Sequence, residues 1–433
     1  MAKDIYTKVQ GTFMNFLHTS DWHLGHTLYS RNRYSEFSAF LDWLVELMKQ
    51  ERIDALLVAG DLFDTTMPGN RAQELYYGFL HRVARSTPCR HVVITSGNHD
   101  SASFLDAPKA LLRALDVHVI GSVSDNVSEE VVALHDRQGG LEAVVCAVPH
   151  LRDRDIRSVV AGESVDDKSR KLIEGIELHY QKVCKAGELL RQQEGASVPM
   201  IAMGHLFTAG GITTDGDGVR ELYIGSLARV SRSIFPTGID YLALGHLHIP
   251  QRVGGEEHLR YSGSPLPMGF GEARQQKQVL FVEFADGERR IREIAVPRFQ
   301  PLERISGDVD AITSRMLQLK AEGSSAWLEI EYTGAELGGN LGALLEEAVE
   351  GTKLEIRRIK NRRNAALIMR QLSEHESLDE LGELDVFERC LTAAKVPDSQ
   401  RSALLQAYQE IVLSLHENDE PLSTTTPFQR QTL

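Results

Sequence analysis

Cysteine pairs, long apolar runs and a secretion signal are missing from this 433-residue sequence. Its four cysteines are scattered without a C-x-x-C pair, which argues against a zinc ribbon and a disulfide scaffold. No apolar run approaches the roughly 18 residues that a membrane span needs, and no basic N-terminal region precedes an apolar core. We therefore expect a soluble protein of the reducing cytoplasm that makes no membrane contact.

Positive charge is also in short supply. The chain has 47 basic and 61 acidic residues and a formal net charge of −14. This balance discourages a nucleic-acid interpretation, because phosphate binding draws on Lys and Arg to release counterions. It does not exclude one, since a local basic cluster or a partner subunit could supply the positive field.

Hydrophobic patterns predict several folded regions. From residue 14 to residue 296, buried strands alternate with amphipathic helices at Phe37–Met48 and Ala72–Val83, which is typical of a layered α/β fold. The predicted strands are Asn15–Thr19, Ile53–Ala59, His91–Thr95, Val117–Ile120, Glu142–Val148, Pro199–Met203 and Tyr241–Leu244. The other predicted segments are an unordered extension at 1–13, a small α+β module at 297–364 with a strand at Trp327–Tyr332 and a helix at Leu341–Val349, a helical region at 365–420 and a disordered tail at 421–433.

Five short polar segments stand at the ends of predicted strands. Each couples a side chain of metal-ligand type to a nearby glycine or turn. Strand carboxyl ends meet loops at one edge of an α/β fold, so we expect these segments to converge on one crevice. The segments are SDWHLG at 20–25, GDLFD at 60–64, GNHD at 97–100, MGH at 203–205 and GHLH at 245–248.

Seven side chains in these segments are candidate metal ligands: Asp21, His23, Asp61, Asn98, His205, His246 and His248. Seven donors are too many for one ion but suit two, with Asp61 as the natural bridge because a carboxylate has two oxygens. Two divalent ions and two aspartates leave a positive charge that suits an anionic phosphodiester. The set therefore predicts a centre that stabilises attacking and leaving oxygens at phosphorus.

Spacing and ligand type refine this prediction. Paired ligands two residues apart would point to one side of extended backbone. Glycines before the ligands would let the chain turn sharply; they are Gly60, Gly97, Gly204 and Gly245. Four imidazoles and an amide oxygen favour two Mn²⁺, with Fe²⁺ or Mg²⁺ fitting less well. His99 could donate a proton to the departing oxygen, and Asp64 or Asp100 would orient imidazoles.

Any one of these residues by itself is more typical of a turn or a helix cap. The combination carries the prediction, because independent turn residues would have no reason to supply seven compatible ligands. Other histidines, including His18 and His150, are expected to be structural or surface groups.

The five segments resemble those of the calcineurin-like metallophosphoesterases, through D-x-H, GD-x-x-D, GNHD, GH and GH-x-H over roughly residues 15 to 250. Within that superfamily, HTSDWHLG, VAGDLFD and the YSGSPLPMGFGE segment from Tyr261 to Glu272 resemble the nuclease subunits of bacterial SbcCD complexes. That resemblance covers nearly the whole chain, including the FERCL segment that begins at Phe387.

The resemblance implies a division of the ligands and an activity. It assigns Asp21, His23, Asp61 and His248 to one manganese, Asp61, Asn98, His205 and His246 to the other, and the catalytic acid to His99. It implies a 3′–5′ exonuclease on double-stranded DNA and an endonuclease on single strands and hairpins, acting in repair, recombination and replication. The exonuclease would depend on ATP hydrolysed by the partner SbcC, since this sequence has no G-x-x-x-x-G-K-[ST] loop.

Contact surfaces follow from the resemblance in less detail. The family implies a homodimer within a heterotetramer, for which helices at Arg71–Val83 and around Leu111 are candidates, although core packing would explain both. Leu384–Leu415 would pack on the SbcC coiled coil or fold back on the α+β module. A basic run at Lys353–Arg363 is one candidate for contact with DNA. Several arginines near the ligand segments are the alternative candidates: Arg31, Arg33, Arg152, Arg154 and Arg157.

Two alternatives remain open. The chain could be a stand-alone phosphatase or a cyclic-nucleotide phosphodiesterase. Protein phosphatases of the superfamily carry an arginine shortly after GD-x-x-D, whereas Thr65 and Thr66 follow here, which counts against a monoesterase. A non-enzymatic scaffold on a decayed fold ranks last, because all seven ligand positions are filled.

Overall fold

The computed structural model describes most of the chain, and its described residues divide into two compact units. One unit comprises the residues up to Arg304 together with Ser325–Leu328, and the other comprises Ile305–Ser324 and the residues from Glu329 onward. The predicted tail, residues 1–12 of the predicted extension and most of the helical region at 365–420 lie outside the described residues. The described residues are 13–156, 164–194, 197–208, 211–213, 230–334, 341–361, 387–388, 391–392, 401, 404–405 and 408.

Strands and helices alternate along the first unit. Its strands are β1 (Met14–Thr19), β2 (Thr27–Leu28), β3 (Arg31–Asn32), β4 (Ala55–Ala59), β5 (His91–Thr95), β6 (Val117–Ile120), β7 (Val131–His135), β8 (Leu141–Ala147), β9 (Met200–His205), β10 (Tyr241–Gly245), β11 (Gln251–Val253), β12 (Glu256–Tyr261), β13 (Gln278–Ala285) and β14 (Glu288–Ala295). Its helices are α1 (Tyr34–Gln50), α2 (Asn70–Ser86), α3 (Ala102–Asp106), α4 (Lys109–Arg113), α5 (Asp153–Ile156) and α6 (Val165–Gln193).

Two six-stranded sheets form the centre of this unit. The first has the order β14-β13-β1-β4-β5-β6, and the second has the order β11-β12-β10-β9-β8-β7. Strands β1, β4, β5 and β6 run parallel to one another, as do β8, β9, β10 and β12. Mixed sheets with helices between their strands confirm the predicted layered α/β fold.

Alternation of side chains along the strands explains the layers. Phe16 of β1 packs with Met203 and Ala243 of the second sheet in an apolar cluster between the sheets. Its neighbour Leu17 belongs to the cluster on the opposite face, with Phe37 of α1 and residues of α2. Helix α6 covers the outer face of the second sheet. The unit is therefore an α/β/β/α sandwich, because each sheet has two apolar faces to cover.

The parallel strands bring their carboxyl ends to one edge of the sandwich. There the loops after β1 and β4 run side by side, since Asp21 N donates to the Gly60 carbonyl and His23 N donates to the Asp61 carbonyl, each at 3.0 Å. A Cβ at Gly245 would overlap the Ala59 carbonyl. Glycine at that position therefore lets the two sheets approach closely at this edge.

A three-stranded sheet and two helices make up most of the described residues of the second unit. The sheet order is β15-β16-β17, and its elements are β15 (Leu302–Gly307), α7 (Val309–Ala321), β16 (Trp327–Tyr332), α8 (Leu341–Val349) and β17 (Glu355–Asn361). Strand β16 and helix α8 begin and end at the predicted residues. Within the described ranges of both units, no helix combines the length and apolarity needed to cross a bilayer.

Candidate metal centre

The seven predicted ligands lie together at the edge where the carboxyl ends of the parallel strands meet. Two come from the loop after β1, one each from the loops after β4 and β5, one from the end of β9 and two from the loop after β10. Six are buried, and Asn98 is half-buried. Residues that are distant in the sequence thus share one site: Asp21, His23, Asp61, Asn98, His205, His246 and His248.

The backbone at these ligands differs from the extended conformation that we predicted. Asp21, His23, Asp61 and His246 have φ angles of 53°, 47°, 51° and 97°. Each chain segment leaves its strand and turns at once into the crevice, which the left-handed region permits and extended backbone does not. Such non-glycine residues cost about 1–3 kcal/mol each and persist where surrounding contacts hold them.

The glycines before the ligands also differ from expectation. Only Gly60 among the four has a positive φ, at 83°. Gly97 is needed for space instead, because a Cβ there would overlap the Asp61 carboxylate. Close approach of backbone to ligand therefore explains the glycine at 97.

Asp61, Asn98, His205 and His246 form one half of the centre. His205 Nε2 lies 3.2 Å from Asp61 Oδ2 and 3.0 Å from Asn98 Oδ1. The same amide oxygen lies 2.9 Å from His246 Nδ1. A metal with bonds of about 2.1 Å holds neighbouring donor atoms about 3.0 to 3.5 Å apart. These four residues therefore match the ligand set of one divalent cation.

Asp21, His23 and His248 form the other half, and Asp61 reaches it. Donor atoms of the first three residues lie within 4.8 Å of one another. His23 Nε2 lies 3.2 Å from His248 Nε2 and 3.6 Å from Asp61 Oδ2. Asp61 Oδ2 therefore faces a histidine from each half.

The facing imidazoles of His23 and His248 fit a cation between them. Two nitrogen lone pairs repel each other unless a proton or a cation lies between them. Glu272 Oε1 lies 3.4 Å from His248 Nδ1, which favours a proton on Nδ1 and leaves the Nε2 lone pair directed into the centre. The residues present therefore suit a pair of divalent cations.

Burial and charge set the electrostatics of the centre. Burial raises the pKa of Asp61, but the imidazoles of His205 and His23 outweigh it and hold this pKa well below its usual value. Burial lowers the pKa of His205, yet the Asp61 carboxylate and its neighbours raise it further, to about 9. Burial keeps the pKa of His246 well below its usual value. An ionised carboxylate thus lies among buried imidazoles, an arrangement that cations stabilise.

Asp64 and Asp100 have different partners, although we expected either to orient an imidazole. Asp64 Oδ1 lies 3.4 Å from His23 Nδ1 and 3.0 Å from His26 Nδ1. Asp100 is buried and accepts three backbone N–H groups from the loops after β4 and β5. Asp64 therefore lies beside the predicted ligand His23, whereas Asp100 holds the loops after β4 and β5 together.

Two neighbours of the centre, Glu272 and His150, make contacts that we did not predict. Glu272, which contacts His248, is fully buried and pairs with Lys277 at 2.5 Å. His150 Nδ1 lies 3.2 Å from the backbone oxygen of His205. His150 comes shortly after β8, as the predicted ligands come shortly after their strands, so its position in the sequence could have pointed to the centre. No local spacing marks Glu272 in the same way.

His99 lies at the margin of the centre. Its backbone N–H donates to Asp61 Oδ1 at 2.8 Å, and its ring centroid lies 4.8 Å from that of His23. Its Nδ1 lies 2.9 Å from the Asp64 carbonyl oxygen. Because a carbonyl only accepts, Nδ1 carries the proton. Nε2 is then the nitrogen of this half-buried ring that can exchange a proton with a substrate.

The basic residues considered for DNA contact differ in their surroundings. Arg33 is buried and donates to Glu36 at 2.9 and 2.8 Å, so it is structural and unavailable to a phosphate. In β17, Lys360 and Arg358 lie 3.0 and 3.7 Å from the buried carboxylate of Glu329. Part of the basic run is therefore neutralised by its own sheet. Three of the predicted arginines lie outside the described residues: Arg157, Arg362 and Arg363.

Two family models match the chain. Residues 14–250 match the model described as calcineurin-like phosphoesterase. Residues 298–395 match the model described as type 5 capsule protein repressor C-terminal domain. The first match spans more than half of the chain and contains every predicted ligand.

Three relatives, each named as the SbcD component of the nuclease SbcCD, are similar to the chain. The protein from Escherichia coli K12 is 36% identical over 401 residues, which cover 90% of this chain and 96% of the relative. The protein from Rhodobacter capsulatus is 37% identical over 322 residues, with coverage of 73% and 74%. The protein from Bacillus subtilis is 32% identical over 328 residues, with coverage of 75% and 80%.

Proposed function

The chain belongs to the calcineurin-like phosphoesterases and, within them, to the SbcD family of nuclease subunits, and from that premise we propose that it hydrolyses DNA phosphodiesters as the nuclease subunit of an SbcCD complex. The family uses divalent metals, and the converging ligands support that chemistry here. A stand-alone phosphatase or cyclic-nucleotide phosphodiesterase is less well supported, because the relatives that cover the chain are nuclease subunits.

The position of the Asp61 carboxylate carries this proposal. Its Oδ2 lies 3.6 Å from His23 Nε2 and 3.2 Å from His205 Nε2, so one oxygen faces both halves of the centre. When bound, two cations act as Lewis acids that stabilise charge on the attacking and leaving oxygens of a phosphodiester. The two ligand sets would be Asp21, His23, Asp61 and His248 for one cation and Asp61, Asn98, His205 and His246 for the other.

Manganese is the metal that this donor set favours. Four imidazoles and one amide oxygen make the set softer than Mg²⁺ prefers, and cysteine is absent from it. Fe²⁺ and Mg²⁺ rank below Mn²⁺ on the same grounds.

His99 would act as the proton donor. The His99 Nδ1–H donates to the Asp64 carbonyl, and the backbone N–H of His99 donates to the Asp61 carboxylate. These two hydrogen bonds keep His99 beside the centre. In the protonated ring, Nε2–H is then the group that can give a proton to the departing oxygen. A proton delivered there removes the charge that would otherwise build up on the leaving group.

DNA is the proposed substrate. Thr65 and Thr66, both exposed, follow Asp64 where the monoester phosphatases of the superfamily carry an arginine. We extend the proposal to 3′–5′ exonuclease action on double strands, which would need ATP hydrolysed by SbcC. Endonuclease action on single strands and hairpins would complete the activity.

Partner contacts complete the proposal. A homodimer within a heterotetramer could use the surface beside α4, where Leu111 and Leu115 are 73% and 47% exposed, so core packing does not account for them. The helical region at 365–420, most of which lies outside the described residues, would bind the SbcC coiled coil. Such a complex would work on DNA ends and hairpins in the cytoplasm.

Cleavage assays with two substrates side by side test the proposed function. Purified protein is incubated with Mn²⁺ on hairpin DNA and on a small phosphomonoester, before and after chelation. We expect the hairpin to be cut, cutting to stop with chelator, and cutting to return with added Mn²⁺. Faster turnover of the monoester, or DNA cutting that survives chelation, would refute the proposal.

A further inference from the structure

A second group of metal-type side chains lies at the opposite rim of the first sheet, where β5 and β6 begin. His91 is the first residue of β5, and Asp116 and His118 flank the first residue of β6. In the parallel pairing, His118 lies beside Val93. Alternate residues of a strand share a face, so His91 and His118 project from the same face of the sheet. Asp116 immediately precedes β6. The two-cation centre lies at the other ends of the strands.

The hydrogen bonding of His91 leaves one of its nitrogens without a partner. Nε2 lies 2.9 Å from the His135 carbonyl oxygen, and because a carbonyl only accepts, Nε2 carries the proton. Nδ1 therefore holds a lone pair, yet it is buried and has no hydrogen-bond partner in the part of the chain that the structure describes. The residue is 7% exposed. Metal-ligating histidines are oriented by such a bond from the other nitrogen to a backbone carbonyl.

His118 and Asp116 supply two further donors beside this nitrogen. Ligand atoms of the three residues lie within 4.8 Å of one another, and the two imidazole centroids are 6.4 Å apart. Asp116 has a φ of 55°, and its carbonyl accepts Val92 N at 3.0 Å, so β5 holds its backbone in place. Its side chain is exposed, so it can adjust toward the metal bonds of about 2.0 to 2.2 Å that a cation would require.

Two basic residues, Arg90 and Arg113, act electrostatically on the histidines of the group. Arg90, which precedes His91, pairs with Glu142 at 2.5 Å and with Asp54 at 3.2 Å. Two carboxylates therefore already neutralise Arg90, so it does not compete with a cation for the Asp116 carboxylate.

We propose that His91 Nδ1, His118 and Asp116 hold one Zn²⁺-class cation, separate from the two-cation centre. Two imidazoles and one carboxylate select Zn²⁺ and its neighbours over Mg²⁺ and Ca²⁺, and water completes the coordination. Strand β6 is at the edge of its sheet. The cation ties this edge strand to β5 and takes no part in phosphodiester cleavage.

Zinc counting on the full-length protein tests this site. The wild-type protein and two variants, His118→Gln and Asp116→Asn, are dialysed against Zn²⁺. Atomic emission then measures the zinc bound per chain. Both substitutions are at accessible positions. Asparagine suits the left-handed backbone at 116. His81→Gln, at an exposed position on α2, is the matched control. We expect wild type and control to bind one more zinc per chain than either site variant.

Equal zinc counts in the wild type and the site variants would overturn the proposal. Manganese-dependent cleavage of hairpin DNA should stay within twofold of wild type in all variants, because none of these residues belongs to the catalytic machinery. A tenfold loss in His118→Gln and Asp116→Asn would overturn the separation of this site from the two-cation centre. Circular dichroism verifies that each variant is folded.

Discussion

The carboxylate of Glu272 lies 3.4 Å from Nδ1 of His248, so a residue outside the five ligand segments orients a predicted ligand. The other oxygen of Glu272 pairs with Lys277 Nζ at 2.5 Å. Lys277 in turn donates to the His248 carbonyl at 2.9 Å. These three residues connect the candidate metal centre to a buried ion pair, so we expect metal affinity and fold stability to depend on the same carboxylate.

Glu272→Gln should weaken Mn²⁺ binding by about 10- to 100-fold, because the amide is a poorer acceptor for the His248 proton. It should also lower the free energy of unfolding by about 3 kcal/mol, since the buried Lys277 loses its counter-charge. Calorimetric Mn²⁺ titration and urea unfolding measure the two effects. Glu256→Gln, in an exposed pair with Arg232, should change stability by less than about 0.5 kcal/mol. Wild-type Mn²⁺ affinity in Glu272→Gln would contradict the orienting role.

Acid should weaken the fold through the same residue. Burial raises the pKa of Glu272, but Lys277 and His248 outweigh it and lower this pKa from 4.5 to about 2. The unfolded chain therefore binds more protons between these values, and stability falls as the pH drops through them. The contribution is about 3 kcal/mol, and it is fully present above pH 4.5. The difference in unfolding free energy between wild type and Glu272→Gln should shrink from pH 7 to pH 3. A constant difference would contradict a lowered pKa of Glu272 in the folded protein.

Asp61→Asn should reduce Mn²⁺ binding from two ions to at most one. A neutral amide oxygen lacks the negative charge with which the Asp61 carboxylate would serve both halves of the centre. Cleavage of hairpin DNA should fall by about 10³-fold or more. Metal analysis and a cleavage assay measure these effects, with Asp125→Asn at an exposed position as the control. Two ions bound with wild-type affinity in Asp61→Asn would argue against a shared carboxylate.

His99→Ala should spare both cations and lower cleavage by about 10²- to 10⁴-fold, as expected for loss of a general acid. The His99 side chain contacts the Asp64 carbonyl through Nδ1, and we place it outside both ligand sets. Calorimetry with Mn²⁺ separates the two roles. Loss of both cations in the variant would show that His99 is not simply a proton donor.

Deletion of residues 373–433 should abolish association with SbcC while Mn²⁺-dependent cleavage of single strands remains. The segment lies almost entirely outside the described residues, so this prediction rests on its helical pattern and on the family. Co-purification of the two chains measures the association. A truncated chain that still co-purifies with SbcC would rule out docking through this segment.

Strands and helices whose sequence pattern is itself local could be predicted from the sequence. Strands β5 and β6 match their predicted bounds, because strands of a parallel sheet covered on both faces are short, nearly continuous apolar runs. The long helix α6 was not predicted, and neither was the hairpin of β13 and β14. Asp286 and Gly287 between those strands have φ angles of 54° and 82°, and Asp-Gly is a strong hairpin signal. The hairpin was therefore open to prediction, whereas its place at the edge of the first sheet was not.

The residues that converge at the candidate centre were predictable from the sequence, but their backbone conformations were not. Asp21 and His23 adopt left-handed rather than extended conformations because their loop is hydrogen-bonded to the loop after β4. That pairing depends on a strand from elsewhere in the chain. For the same reason Glu272 has no local mark of its role at His248.

Residue chemistry and strand ends settle which side chains are available to bind metal, since both are properties of short stretches of chain. The grouping of those side chains depends on contacts between the two sheets. Asn98 meets His205 across 107 positions, and His23 meets His248 across 225. No local pattern encodes such meetings, because they arise only when packing of the two apolar sheet faces brings the carboxyl ends of β1, β4 and β5 to those of β9 and β10.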